Sequence, residues 1–145
     1  MRLVGGTAYA LDIPFVQAFQ HSAAGRQACD SVVVRVVDDR GTEGFGEGAP
    51  RPYVTGETVD GVLDHLTTVL WPQVVGRELP CLASEADLYA LDALLPVRPV
   101  AGWVTDGATR AALELAIVDC ALRRRRESVG RLLKPRRQRV VYSGV

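Results

Sequence analysis

Few residues in this 145-residue chain have the types and spacing that make chemistry. Lys134 is its one lysine, and its three cysteines, Cys29, Cys81 and Cys120, stand far apart in no CxxC or Cys/His pattern. Zinc centres and disulfide frameworks need thiols at paired spacings, so these three read as bystanders. The neighbouring carboxylates Asp38 and Asp39 could attract a cation, but beside Gly41 they read as solvated residues of a tight turn. Gly44-Phe45-Gly46-Glu47-Gly48 has the glycine spacing that lets backbone N–H groups approach a phosphate. It lacks the G-K-[ST] continuation and runs into Pro50, so a bulged strand is the expectation there. The remaining carboxylates are scattered, and no Mg²⁺ site can be assembled from them.

Charge is balanced overall and uneven along the chain. The 17 basic and 17 acidic residues give a net charge of zero, yet Arg123 to Arg139 holds nine Lys/Arg and one acid, so the body is acidic and the end basic. Such a run could neutralise nucleic-acid phosphates. The preferred reading is a solvated helix end whose positive charge suits the C-terminal dipole, with no nucleic-acid partner. No apolar run approaches the ~20 residues that cross a bilayer, and Met1 to Gly6 does not resemble a signal peptide. The expectation is a soluble, cytoplasmic protein.

The elements that must position these residues are legible from periodicity. Leu3 to Leu11 reads as a weak strand and Ser31 to Val37 as a strong one rich in β-branched residues. Asp38 to Gly41 turns the chain into a third strand, Thr42 to Glu47, which predicts a short antiparallel meander. From Val59 the apolar spacing becomes three and four, predicting a helix capped by Thr55 and ended by Pro72. Ser84 with Asp87 is a capping signature for a second helix, stopped by Pro96 and followed by a loop over Leu95 to Gly102. A third, about Asp106 to Arg126, is apolar on nearly every side, with Arg110/Glu114 and Asp119/Arg123 as its polar pairs. Such a helix needs neighbours all round, which implies a missing packing partner. Ser128 to Leu133 reads as a last helical turn and Arg139 to Val145 as the start of a new strand. The fold class is therefore α+β: a three-stranded antiparallel meander sheet followed by a helical bundle.

In order along the chain come Ile13-Pro14-Phe15, the Ser31 to Val37 strand, Gly44-Phe45-Gly46-Glu47-Gly48-Ala49-Pro50 and Arg51-Pro52-Tyr53-Val54-Thr55-Gly56-Glu57-Thr58. An A-x-x-A-x-E-x-A-x-x-D-like helix follows at Ala108 to Asp119, then Val129 to Leu133. This series resembles the N-terminal capping domain of the enolase superfamily, of the mandelate racemase and muconate lactonizing enzyme type, and especially dipeptide-epimerase-like members. Val-Thr-Gly-Glu at 54–57 is its most specific part. The resemblance implies a cap over residues 1–133. Residues 134–145 would be a linker and the first strand of a (β/α)₈ barrel, at which this sequence is truncated.

For the family, the resemblance implies Mg²⁺-dependent removal of a proton α to a carboxylate, in racemases, epimerases and cycloisomerases. The metal ligands and Lys-x-Lys bases would come from the barrel. This chain is then a substrate-specificity cap with no catalytic residue, metal ligand or cofactor of its own, inactive alone. Its partner would be a missing or separately encoded barrel, or a second copy of itself. The alternative is an interaction subunit complementing a separate barrel or other protein. Two family cap loops match Phe15 to Arg26 and Ala49 to Val54 here. Phe15, Phe19, His21 and Arg26 in the first, with Arg51 and Tyr53 in the second, mix apolar walls with cationic and hydrogen-bonding groups. Such a mixture suits a small carboxylate or dipeptide-like substrate.

Overall fold

A computed structural model describes residues 1–21, 24–95, 106–134, 139 and 141, with the backbone alone for 17–21 and 24–27. Three antiparallel strands, β1 (Leu3–His21), β2 (Ala24–Asp38) and β3 (Glu43–Gly48), form one sheet in the order β1-β2-β3. The helices follow: α1 (Val59–His65), a π turn (Leu66–Leu70), α2 (Trp71–Val74), α3 (Glu85–Leu94), α4 (Gly107–Arg125) and α5 (Val129–Leu132). This is the expected meander and bundle. None of the described helices is long and apolar enough to cross a membrane.

Alternation decides which side of the sheet the helices cover. Val32, Val34 and Val36 of β2 are buried in the same core as Leu66, Leu70, Leu113 and Ile117, while Arg35 and its row-mates face outward. β3 pairs residue for residue with β2, from Val32 opposite Gly48 to Val37 opposite Glu43. The expected bulge is absent, and α4 is the reason. A Cβ on Gly44, Gly46 or Gly48 would lie 2.3, 2.2 or 2.0 Å from the carbonyl oxygens of Ala116, Ala112 and Ala108. The glycines let the helix rest on the bare strand. Two strand residues advance about 6.8 Å and four helix residues about 6 Å, so glycines at every second position stay in step with small residues at every fourth. The Phe45 amide donates to the Asp119 carboxylate of α4 at 2.9 Å, so the helix also covers part of this sheet edge.

Several helix signals resolve differently from expectation. Thr58, not Thr55, caps α1, its hydroxyl accepting from the Gly61 amide at 3.1 Å. Pro72 does not end the helix, which runs on to Val74. The chain first widens into the π turn, where the Thr67 and Thr68 hydroxyls donate to the carbonyls of Leu63 and Asp64. Pro72 then falls in the first turn of α2, where its missing N–H costs little. Asp87 reaches back to the Ser84 amide at 3.0 Å, as its capping signature predicted. α4 buries most of its apolar residues within the chain, which leaves Leu115, half exposed, on an open strip with Phe45 and Val129. The unmet packing is therefore a strip, not a whole face. The loop over Leu95 to Gly102 lies outside the described residues beyond Leu95, and of the Arg139 to Val145 strand only Arg139 and Val141 lie within them.

Asp38 is not the solvated turn residue expected. It is 1% exposed and accepts from the Arg40 and Thr42 amides at 2.9 and 2.7 Å. Arg124 of α4 donates to it at 2.8 Å and also pairs with Asp39. Burial pushes the Asp38 carboxyl up, but the Arg124 guanidinium and the two amides outweigh it and hold the group below its ordinary value. At the start of the basic run Arg124 and Arg125 are drawn into ion pairs, while Arg123, Arg126, Arg131, Lys134 and Arg139 stay exposed, as a solvated helix end would. Arg125 pairs with Glu127, while Arg123 pairs with Asp119 and lies 5.8 Å from the Phe45 ring centroid. Cys120, on the buried side of α4, has its thiol pushed up to about 11 by burial and by the nearby Asp38 carboxylate, the chemistry of an inert structural thiol.

Candidate specificity site at the end of the sheet

β3 stops at Gly48 opposite Val32, while β1 and β2 continue as a two-stranded ribbon past Leu11 and Ser31 to His21 and Ala24. Phe15, Phe19, His21 and Arg26 therefore sit on strands and not in the loop expected for Phe15 to Arg26. The polar and apolar residues of that stretch hide a period of two, which is why the sequence did not reveal the extension. Pairing slips between Pro14 opposite Ala28 and Phe19 opposite Arg26, so Phe15 lies in a bulge that absorbs the proline.

The second stretch leaves the sheet where the ribbon emerges. Arg51 Nη1 donates to the Asp30 carbonyl of β2 at 3.2 Å and to the Pro50 carbonyl at 2.8 Å. Arg51 is thus partly committed to holding the 49–54 loop against β2. The loop then turns on the Arg51 carbonyl, which accepts from the Val54 and Thr55 amides at 2.9 and 2.8 Å. Arg51 and Tyr53 stand at the root of the ribbon, whereas Phe19, His21 and Arg26 lie toward its tip. Asp30 and Arg26 are four residues apart, about 13 Å along an extended strand. The 49–54 loop meets β2 at Asp30, and Phe15, Phe19, His21 and Arg26 are spread along the ribbon beyond it.

Several apolar side chains at this end are exposed among the described residues. Ile13, Val16, Tyr53 and Val54 are 54%, 103%, 39% and 63% exposed. Below the loop lies an acid that sequence reasoning passed over. Glu57, 8% exposed, accepts from the Ala108 amide at the start of α4 and from the Thr55 hydroxyl, both at 2.7 Å. The signal was present in Val-Thr-Gly-Glu, read only as a token of resemblance.

Magnesium coordination requires several oxygen ligands converging on one point. The buried acids do not converge: Asp38 faces Arg124, Glu57 caps α4, and Asp106 lies 3.8 Å from His65 Nδ1. Among the described residues no three His, Cys, Asp or Glu side chains are grouped to hold a metal ion. The residues present do not fit a magnesium centre.

No family model matches the chain. In sequence and fold the chain is similar to the N-terminal part of enolase-superfamily enzymes of the mandelate racemase and muconate lactonizing enzyme type. The chain is 26% identical over 119 residues to the L-Ala-D/L-Glu epimerase of Bacillus subtilis, covering 82% of this chain and 30% of that protein. The structure of that epimerase with bound substrate superposes with a TM-score of 0.64, covering 81% of this chain and 30% of the other. The 2-chloromuconate cycloisomerase of Rhodococcus opacus 1CP superposes at 0.68 with 26% identity, over 86% of this chain and 32% of its own. A dipeptide epimerase from Cytophaga hutchinsonii, complexed with Mg and D-Ala-L-Val, shares the fold at 0.66 with 21% identity, over 86% and 31% of the two chains. The chain spans about 30% of the length of the L-Ala-D/L-Glu epimerases it matches.

Proposed function

We propose that this chain is the substrate-specificity cap of a Mg²⁺-dependent enzyme that removes a proton α to a carboxylate, acting in the cytoplasm on a small carboxylate or dipeptide-like substrate. A (β/α)₈ barrel, continuous with residues 134–145 or separately encoded, would supply the metal ligands and the bases. When bound there, magnesium would stabilise the charge that develops as the α-proton leaves. This chain's residues bind the substrate's side chain and exclude water, and the chain has no turnover alone.

One observation carries the reading: the 49–54 loop is bonded to the β1–β2 ribbon at Asp30, and both carry exposed large apolar residues, Ile13 and Val16 on the ribbon and Tyr53 and Val54 on the loop. Closing this end over a barrel mouth would bury those groups and dry the site. On that reading Phe15 and Phe19 supply apolar wall, His21 and Tyr53 hydrogen-bonding groups, and Arg26 and Arg51 positive charge for an anionic substrate. The open strip of Phe45, Leu115 and Val129 favours a barrel partner in either form, in cis or as a second polypeptide.

The test is to replace the cap of the B. subtilis epimerase with this chain and follow Mg²⁺-dependent exchange of the α-proton into D₂O across a dipeptide panel. The chain alone should exchange nothing, and the chimera should shift relative kcat/KM between dipeptides by about tenfold or more. In the chimera, Arg26→Ala and Tyr53→Ala should raise KM more than they lower kcat. Exchange by the unaccompanied chain, or a chimera with the parent's preferences, would refute the proposal.

A further inference from the structure

A hydrogen-bonded path joins the specificity loop to the longest helix. Arg51 Nη1 donates to the Asp30 carbonyl at 3.2 Å, and the Arg51 carbonyl accepts from the Val54 amide at 2.9 Å, the Thr55 amide at 2.8 Å and the Thr55 hydroxyl at 3.4 Å. That hydroxyl also reaches Glu57 Oε2 at 2.7 Å, and Glu57 Oε1 accepts from the Ala108 amide at 2.7 Å, a contact across 51 residues of sequence. Gly56, at φ +76°, makes the turn that brings the carboxylate under the loop. A helix is ordinarily capped by the residue before it, and Asp106 is a type well suited to that task. Asp106 nevertheless makes no side-chain capping bond at α4. The cap comes from the loop instead. Glu57 is nearly buried, so withdrawing it from either partner strands a desolvated carboxylate or amide. Loop and helix start must then open together.

We infer that Thr55 and Glu57 form a latch that fixes the 49–54 loop, with Tyr53 on it, relative to β2 and the start of α4. They are positioning residues, and their functional meaning rests on the proposed role of that loop in specificity. A plain helix cap stabilises the first turn of α4 and nothing else. A latch transmits in both directions, which sets the two apart.

Amide hydrogen exchange on the 145-residue chain, without ligand, reads the transmission. In Glu57→Ala the Val54 and Thr55 amides should exchange about tenfold faster along with Ala108, while the β2–β3 ladder amides stay protected. Glu57→Gln, whose side-chain oxygen still accepts, should preserve the protection of Val54 and Thr55. Thr55→Val leaves the carboxylate in place and removes only the hydroxyl, yet should speed Ala108 exchange several-fold. Acceleration of Ala108 alone in Glu57→Ala, or an unchanged Ala108 in Thr55→Val, overturns the latch in favour of a plain cap. If Glu57→Ala fails to fold, Thr55→Val decides the matter. Loss of the specificity reading would appear in the dipeptide preferences of the chimera and would leave these exchange rates as they are.

Discussion

The seam between β3 and α4 and the ribbon beyond Gly48 use the same backbone for opposite ends. In the seam, glycines bring strand and helix into direct contact, Asp119 covers a strand amide, and Arg124 ties the hairpin turn to the helix. A side chain on any of Gly44, Gly46 or Gly48 would meet the helix backbone. Among the described residues the ribbon has no third strand beside it and leaves Ile13 and Val16 more than half exposed, so substitutions at those two meet solvent. Stability concentrates in the first region and freedom to vary in the second, the division that the proposed specificity role of the ribbon requires.

The sharpest break of this contrast is inside the seam. Gly46→Val would place a branched side chain where a Cβ alone sits 2.2 Å from the Ala112 carbonyl oxygen, and Ala116→Asp would bury an unpaired charge at a position with no exposure. Each should cost about 3 kcal/mol or more and abolish soluble expression, as cell fractionation would reveal. A soluble, normally melting Ala116→Asp chain would mean the core lies elsewhere.

Next in size is Asp38. Asp38→Ala should destabilise by about 2–3 kcal/mol in urea, since Arg124 and two turn amides lose their acceptor. The sign of its pH dependence follows from a folded-state pKa below the unfolded one. The contribution is fully present above the ordinary aspartate value of about 3.9 and is lost as pH falls through the lower folded value. Urea midpoints should therefore drop below about pH 4 in the native sequence, with a shallower acid slope in Asp38→Asn. Equal slopes would place the acid sensitivity in another carboxylate.

A smaller effect is expected at the junction of the two regions. Thr58→Ala removes the α1 cap and should cost about 1 kcal/mol in thermal or urea unfolding. At the low end, Ile13→Ser and Val16→Lys on the ribbon should shift stability by no more than about 0.5 kcal/mol. A melting temperature that collapsed on Val16→Lys would show that the ribbon is structural and erase the contrast.

Much of the architecture was legible because burial on one side imposes a period. The alternating valines of β2 and the three-and-four spacing after Val59 each name their element without reference to the rest of the chain. Ser84 with Asp87 did the same for α3, since that cap closes within one helical turn. The reach of β1 and β2 was hidden because a ribbon exposed on its flanks needs no apolar alternation. Pro72 misled because a π turn upstream let the helix accommodate it. Of the candidate residues, Phe15, Phe19, His21 and Arg26 fall on the ribbon and Arg51 bonds to it at Asp30, a juxtaposition that no spacing in the sequence carries.

Local sequence, then, determined the succession of elements, the small-residue pattern of α4 and the glycine pattern of β3, because propensity and periodicity act over a few residues. Tertiary structure alone decided that those two patterns are halves of one contact, that Asp38 is buried under Arg124, and that Glu57 caps a helix 51 residues away. Such pairings depend on which distant surfaces meet, and no local preference carries that information.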